Sequence, residues 1–399
     1  ASSVPPGDRT YRKMVIAYAT NWAQYRPGAR SFFPEDVDPT LLTHAIYAFG
    51  KMTDSYGVEP FEWNDVVDWN PSSGLYYRFN VGLKAANPQL KTLLAIGGWN
   101  FNYFTATKHL FTEMAASPSG RQAFASACAA FCREHGFDGI DLDWEYPGLA
   151  SQGGRPQDVA NFVSLLADMR TVFQAEAAAS GHAELLLSIA VAAGASTIAS
   201  GYDIPAIHPH VDWVGLMSYD LRGAWDPVTG HHTSMSVAGP DTVPTAVATW
   251  LSGTPPDKLV MGLAAYGRSW SGVAPPYGMG AAASGAGAAG PATREAGFLA
   301  FYEIQDNLDA GWTRVWDDDA QAPYAYSLTG DWVSYDDEES LAIKTAFVDA
   351  QGLGGVMWWA ADLDEFSGGA YPLMRSVSDA FLDNGVAPPT ATLASPSPS

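Results

Sequence analysis

The run Asp138-Gly139-Ile140-Asp141-Leu142-Asp143-Trp144-Glu145-Tyr146-Pro147 places carboxylates at alternate positions among apolar residues. Successive side chains of an extended strand point to opposite faces. Asp141, Asp143 and Glu145 therefore share one face, and Leu142 and Trp144 the other. Same-face neighbours lie roughly 6.5–7 Å apart along a strand. Three buried negative charges at that spacing repel one another and lose hydration, so the row must keep or share protons. A carboxyl that holds its proton near neutral pH is what a general acid requires.

Two cation-binding readings compete with carboxylate catalysis. A calcium loop also alternates acidic residues, but it needs a glycine at its sixth position and turn-forming surroundings. Here Leu142 and Trp144 intervene, and Tyr146 stands where that glycine would be. A magnesium site at a strand end is the other reading. The large apolar residues between the acids favour a row aimed into a protein interior, and catalysis is the expectation. Asp138, at the foot of the run, is expected to brace the strand.

Positioning such a row takes a rigid frame. Eight short apolar runs recur: Met14–Ala19, His44–Phe49, Thr92–Ile96, Gly139–Trp144, Leu185–Val191, Val211–Met217, Lys258–Leu263 and Gly355–Trp359. Continuous Val/Ile/Leu content marks strands covered on both faces, as in parallel sheets. Helix-compatible stretches separate them. Ser117 suits an N-cap, Pro118 the first helical position and Gly136 the stop, with Phe124, Cys128, Phe131 and Cys132 on one face. Eight strand–helix repeats predict an α/β fold, a closed (β/α)8 TIM barrel.

The interval from Gly267 to Asp336 is far longer than an ordinary connection. Its apolar runs Phe298–Ile304, Thr313–Trp316, Tyr324–Ser327 and Trp332–Tyr335 predict a small α+β insertion between strands 7 and 8. The expected organisation is a barrel over 11–266 and 337–384, the insertion over 267–336, and a Pro/Ser/Thr-rich tail or linker over 385–399. Ser271 to Pro291 reads as a Gly/Ala surface loop.

Composition narrows the function. The 399 residues carry 21 basic and 43 acidic side chains, a formal charge of -22, which repels nucleic acid. No uncharged apolar run reaches the length of about 18 residues that a spanning helix needs. Hydrophobic residues make up 47%, enough for a large core. Cys128 and Cys132, four apart, are expected as small buried side chains, with a local disulfide as the alternative. Ala1 in place of methionine implies a processed or trimmed start. The His231-His232 pair carries no metal-binding spacing, and no metal or cofactor is expected.

The DGIDLDWEYP run resembles the D-x-x-D-x-D-x-E signature of glycoside hydrolase family 18 chitinases, especially the chitotriosidase type. The resemblance extends over about Tyr11 to Leu382. Asn21-Trp22-Ala23-Gln24-Tyr25 is similar to the group's aromatic first loop, and Leu94 to Asn100 (LAIGGWN) to its S-x-G-G motif, with Ala95 in place of Ser and the loss of one hydrogen bond implied. Met217-Ser218-Tyr219-Asp220 matches M-x-Y-D. Tyr266-Gly267-Arg268 and Gly354 to Trp359 match the ends of strands 7 and 8.

The resemblance implies hydrolysis of β-1,4-linked N-acetylglucosamine polymers by substrate-assisted catalysis; family 18 is a known exception to the two-carboxylate scheme. Glu145 would be the acid. Asp143 would orient the sugar's acetamide, Asp141 would exchange a proton with Asp143, and Tyr219 would donate to the acetamido oxygen. Met217 would pack beneath the sugar, and Asp220 would bind a hydroxyl or tune the cluster. Trp359 would floor the distorted sugar. Trp22, Trp99 and Trp225 would extend the cleft, lined further by Tyr18, Tyr25, Gly98, Tyr146, Tyr266 and Arg268. Trp144 and Trp358 are expected in the core.

The implied partners are chitin and chitooligosaccharides, acted on by a secreted monomer without nucleic-acid or membrane contacts. Two alternatives stand beside a retaining endo-chitinase: a chitin-binding lectin on the same barrel, and an endo-β-N-acetylglucosaminidase acting on N-glycans.

Overall fold

The computed structural model describes residues 10–67 and 69–383; the expected tail lies outside them. Eight parallel strands form the centre: Met14–Thr20, His44–Met52, Lys91–Gly97, Gly139–Asp143, Leu186–Val191, Trp213–Leu216, Leu259–Ala264 and Gly355–Trp359. Each pairs with the next, and Met14–Thr20 pairs with both His44–Met52 and Gly355–Trp359, which closes the barrel. Helices cover the outer face, so most strand residues are buried, as their unbroken apolar content requires.

Two strands stop before the ends of their apolar runs. The fourth stops at Asp143, whose last ladder partner is Gly97, so Trp144 and Glu145 lie just beyond it. The sixth ends at Leu216, leaving Met217, Tyr219 and Asp220 on the following turn. The helix Pro118–His135 is capped by Ser117 Oγ, which accepts from Gly120 N at 3.0 Å. It ends at Gly136, whose φ of 79° is left-handed. Cys128 and Cys132 are free thiols buried on its inner face.

The second sheet starts one residue earlier than the spacing predicted. Tyr266 already pairs with Ala300, so Tyr266–Ser271 is a strand of the six-stranded antiparallel sheet and not the end of a barrel strand. Trp332–Ser334, Ala322–Tyr326 and Thr313–Asp317 extend that sheet on one side, and Gly285–Ala286 on the other. Its small core is Trp270, Trp332 and Tyr324. Glu303, on the helix Phe301–Asp309, ties in the Gly/Ala loop: its carboxylate accepts from Ala292 N, Thr293 N, Thr293 Oγ1 and Ala300 N at 2.7–3.0 Å. Among the described residues no helix is long and apolar enough to cross a membrane.

Candidate active site

The three acids all reach the interior at the C-terminal end of the fourth strand, and all are buried. Asp141 is deepest. Tyr18 Oη donates to its Oδ2 at 2.7 Å, and Ser188 Oγ to its Oδ1 at 2.6 Å. Burial still raises its pKa against these two stabilising bonds. Ser188 is the register partner of Asp141 on the fifth strand, and Ala95 is its partner on the third. Ser188 and Tyr18 each supply one hydrogen bond to Asp141, and Ala95 can supply none.

Asp143 and Glu145 follow Asp141 toward the strand end, and both are buried. Burial, then the charges of Glu145 and Asp141, push the Asp143 pKa well above its ordinary value. Its Oδ1 is buried without a hydrogen-bond partner. Burial likewise pushes Glu145 up to about 7, with Tyr146 opposing through a hydrogen bond and Asp220 adding repulsion. Glu145 thus holds its proton at a pH where an exposed glutamate has lost it.

Backbone at the strand end is held from one side. Gly98 N and Asn102 Nδ2 donate to the Asp143 carbonyl at 2.9 and 3.1 Å. Gly97 (φ 120°) approaches that carbonyl so closely that a Cβ would stand 2.0 Å from it. Gly98 (φ 85°) faces the Phe49 ring at 2.6 Å in the same sense. The Gly-Gly pair therefore serves close backbone approach, and Gly98 is packed against an aromatic ring. Asp138 braces the strand foot: Thr92 N donates to it at 2.8 Å, and Lys84 pairs with it at 2.7 Å.

Opposite the row, Tyr219 and Asp220 follow the sixth strand. Tyr219 is buried, its ring centroid 6.0 Å from that of Tyr266. Asp220 sits at φ 58°, and Arg268 grips it with two bonds, Nε to Oδ1 at 2.6 Å and Nη2 to Oδ2 at 2.7 Å. Tyr266 Oη adds a third, at 2.7 Å. Burial alone would raise the Asp220 pKa, but the Arg268 guanidinium holds it well below the usual carboxylate range. Asp220 is therefore a fixed anion committed to Arg268. Met217 is half-buried against the barrel core.

The aromatic residues divide into an inner stack and an outer rim. Trp359 is half-buried and contacts Tyr18, Trp22 and Phe49 at centroid distances of 5.4, 6.2 and 6.1 Å. Trp22 in turn stacks on Phe49 at 6.1 Å. Trp99 (51% exposed) stacks on Tyr103 at 5.9 Å, and Trp225 (61% exposed) lies 5.3 Å from the Arg268 guanidinium. Tyr25 is exposed and donates to Glu62 at 2.6 Å. Trp144 and Trp358 are core residues, Trp144 stacked on Phe111.

Two expected lining residues are placed differently. Tyr18 and Tyr266 are each only 2% exposed. Their hydroxyls are spent on Asp141 and Asp220, so they hold carboxylates in place beneath the cleft surface. Sequence reasoning missed Ser188, Phe49 and Tyr103, which lie against Asp141, Trp359 and Trp99. The pattern of the fifth strand, LLLSIAV, contained a signal for Ser188: one polar side chain in an otherwise apolar run.

The family model for glycosyl hydrolases family 18 matches residues 14–364. The chain belongs to this family. It is 40% identical over 378 residues to mouse chitotriosidase-1, covering 91% of this chain and 77% of that protein. Among solved structures, an immunomodulatory active chitinase from Trichuris suis superposes with a TM-score of 0.84 at 35% identity, covering 93% of this chain and 100% of that one. Human YKL-39, described as a pseudo-chitinase with retained chitooligosaccharide binding, gives 0.83 at 34% identity, covering 92% and 99%. This family 18 member thus has relatives both with and without hydrolytic activity. A carbohydrate ligand is common to these relatives, and the aromatic surfaces of this chain are suited to one.

Proposed function

We propose that this family 18 protein is a retaining endo-chitinase acting by substrate-assisted catalysis. The carrying observation is Glu145, buried at the head of a carboxylate row with its pKa pushed up to about 7. Glu145 protonates the glycosidic oxygen as the bond to C1 breaks. The acetamido carbonyl oxygen of the same sugar closes on C1 and forms an oxazolinium ion. The buried, partnerless Asp143 Oδ1 is an acceptor suited to the acetamide N–H. Asp141 takes up the proton Asp143 gives away, because burial disfavours two adjacent anions. Tyr219 donates its hydroxyl to the acetamido oxygen. Water, deprotonated by Glu145, then opens the ring from the face the leaving group left, which yields the β-anomer.

Trp359, supported by Tyr18, Trp22 and Phe49, floors the reacting sugar, and Trp22, Trp99 and Trp225 carry the chain on either side. Tyr25, Gly98, Tyr146, Met217 and Arg268 complete the lining, with Asp220 clamped by Arg268 and Tyr266. No cofactor enters the scheme. Because chitin is an insoluble polymer, the reading includes secretion and action as a monomer outside the cell.

A product time course on a hexamer of N-acetylglucosamine tests this. Internal cleavage with β-configured new reducing ends is expected. An α-anomer first product rules out the mechanism, and tight binding with no reducing ends released favours the binding-protein reading that human YKL-39 represents. Faster cleavage of an N-glycoprotein than of the hexamer favours the endoglycosidase.

The pH dependence has a fixed sign. The acid acts only while protonated, and a pKa raised to about 7 keeps Glu145 protonated below that pH. kcat/KM should hold below about pH 7 and fall about tenfold per unit above it. A profile still flat at pH 9 argues against Glu145 as the acid.

A further inference from the structure

A second cavity lies in the insertion sheet, on the face of Tyr266–Ser271 opposite Arg268. Alternation along that strand turns Arg268 toward Asp220 and Ser269 away from it. The cavity measures about 310 Å³, at the small end of ligand pockets. Leu299 and Trp312 form apolar wall, and Ser269, Asn307 and Asp331 bring polar groups to it.

Ser269 is the informative residue. It is 2% exposed, and its Oγ has no hydrogen-bond partner. A buried hydroxyl left unpaired costs free energy that the protein recovers when something binds there. Glu303 contributes little, since four donors already saturate its carboxylate. Asp331 and the rim residue Asp306 disfavour anions. A bare metal ion would leave most of the volume, and its indole and leucine walls, unused. A neutral ring with an apolar face and several hydroxyl donors matches both wall and acceptors.

We infer that this cavity is a second, non-catalytic saccharide site that holds one or two N-acetylglucosamine units of the polymer. The inference rests on the chitin reading above for the identity of the sugar. Binding there would anchor the polymer at a point separate from the cleft. It would raise affinity for long or insoluble substrate and leave turnover of short substrates unchanged.

The test uses the Glu145→Gln chain, titrated calorimetrically with the trimer of N-acetylglucosamine. Two sites are expected. Ser269→Ala should weaken the second about tenfold and leave the first alone, consistent with the loss of one hydrogen bond. Its unfolding midpoint should not drop, because no protein group depends on the deleted hydroxyl for a hydrogen bond. Trp312→Ala should abolish the second site. A single site, or a second site equally tight in Ser269→Ala, overturns the inference. If wild-type protein releases no reducing ends from chitin yet the Ser269-dependent site binds the trimer, the hydrolase reading fails and this one stands. If chitin is cut and only the cleft titrates, the reverse holds.

Discussion

Glu145→Gln is expected to lower kcat by about 10²–10⁴-fold, the usual contribution of a positioned general acid. The substitution keeps the shape of the side chain and removes its proton. Oligosaccharide binding should survive, because the aromatic platforms at Trp22, Trp99 and Trp359 are untouched. The limb of the pH profile near 7 should disappear, since burial sets that value on Glu145 itself. A second shift follows from the coupling. The Glu145 charge helps hold the Asp143 pKa up, so the remaining Asp141–Asp143 pair should titrate lower once that charge is gone. Single-turnover measurements on a chromogenic chitooligosaccharide would read the rate. Turnover within a few-fold of wild type would remove Glu145 from its role.

A substrate whose cleavage-site sugar carries a free amine should be cut at least about 10³-fold more slowly than its acetylated counterpart. In the proposed mechanism the acetamido carbonyl supplies the nucleophile from within the bound sugar, and well-oriented intramolecular groups act at effective concentrations of about 10⁵ M or more. Removing it leaves no replacement: Asp143 is buried and pushed toward its neutral form, and Asp141 is committed to Tyr18 and Ser188. Defined mixed oligomers, analysed by mass spectrometry for which bonds break, would decide. Equal cleavage at deacetylated positions would require a protein nucleophile and end the substrate-assisted account.

Much of the site follows from local rules that sequence reveals directly. Period-two alternation put Asp141, Asp143 and Glu145 on one face and Trp144 on the other, and the coordinates place Trp144 against Phe111 in the core. Caps and spacing located the helix at 118–135, and unbroken apolar runs located eight strands. Each of these depends on residues within about a turn or a strand of one another.

Barrel closure decided the rest, because it sets which strands face each other and at what stagger. Tyr18 meets Asp141 across 123 residues of chain, and Arg268 meets Asp220 across 48. No periodicity in the sequence encodes either distance. The same stagger put Ser188 beside Asp141, where the motif on the third strand offers only Ala95. Phe49 entered the Trp22–Trp359 stack only because the first, second and eighth strands are neighbours in the closed ring. From residue order alone come the carboxylate row and the face it shares; the family resemblance, not the order, singles out Glu145 as the proposed acid. Its raised pKa, the bonds already spoken for and the hydroxyl left unpaired at Ser269 arise only when distant strands exclude water together, since burial is a property of the assembled chain.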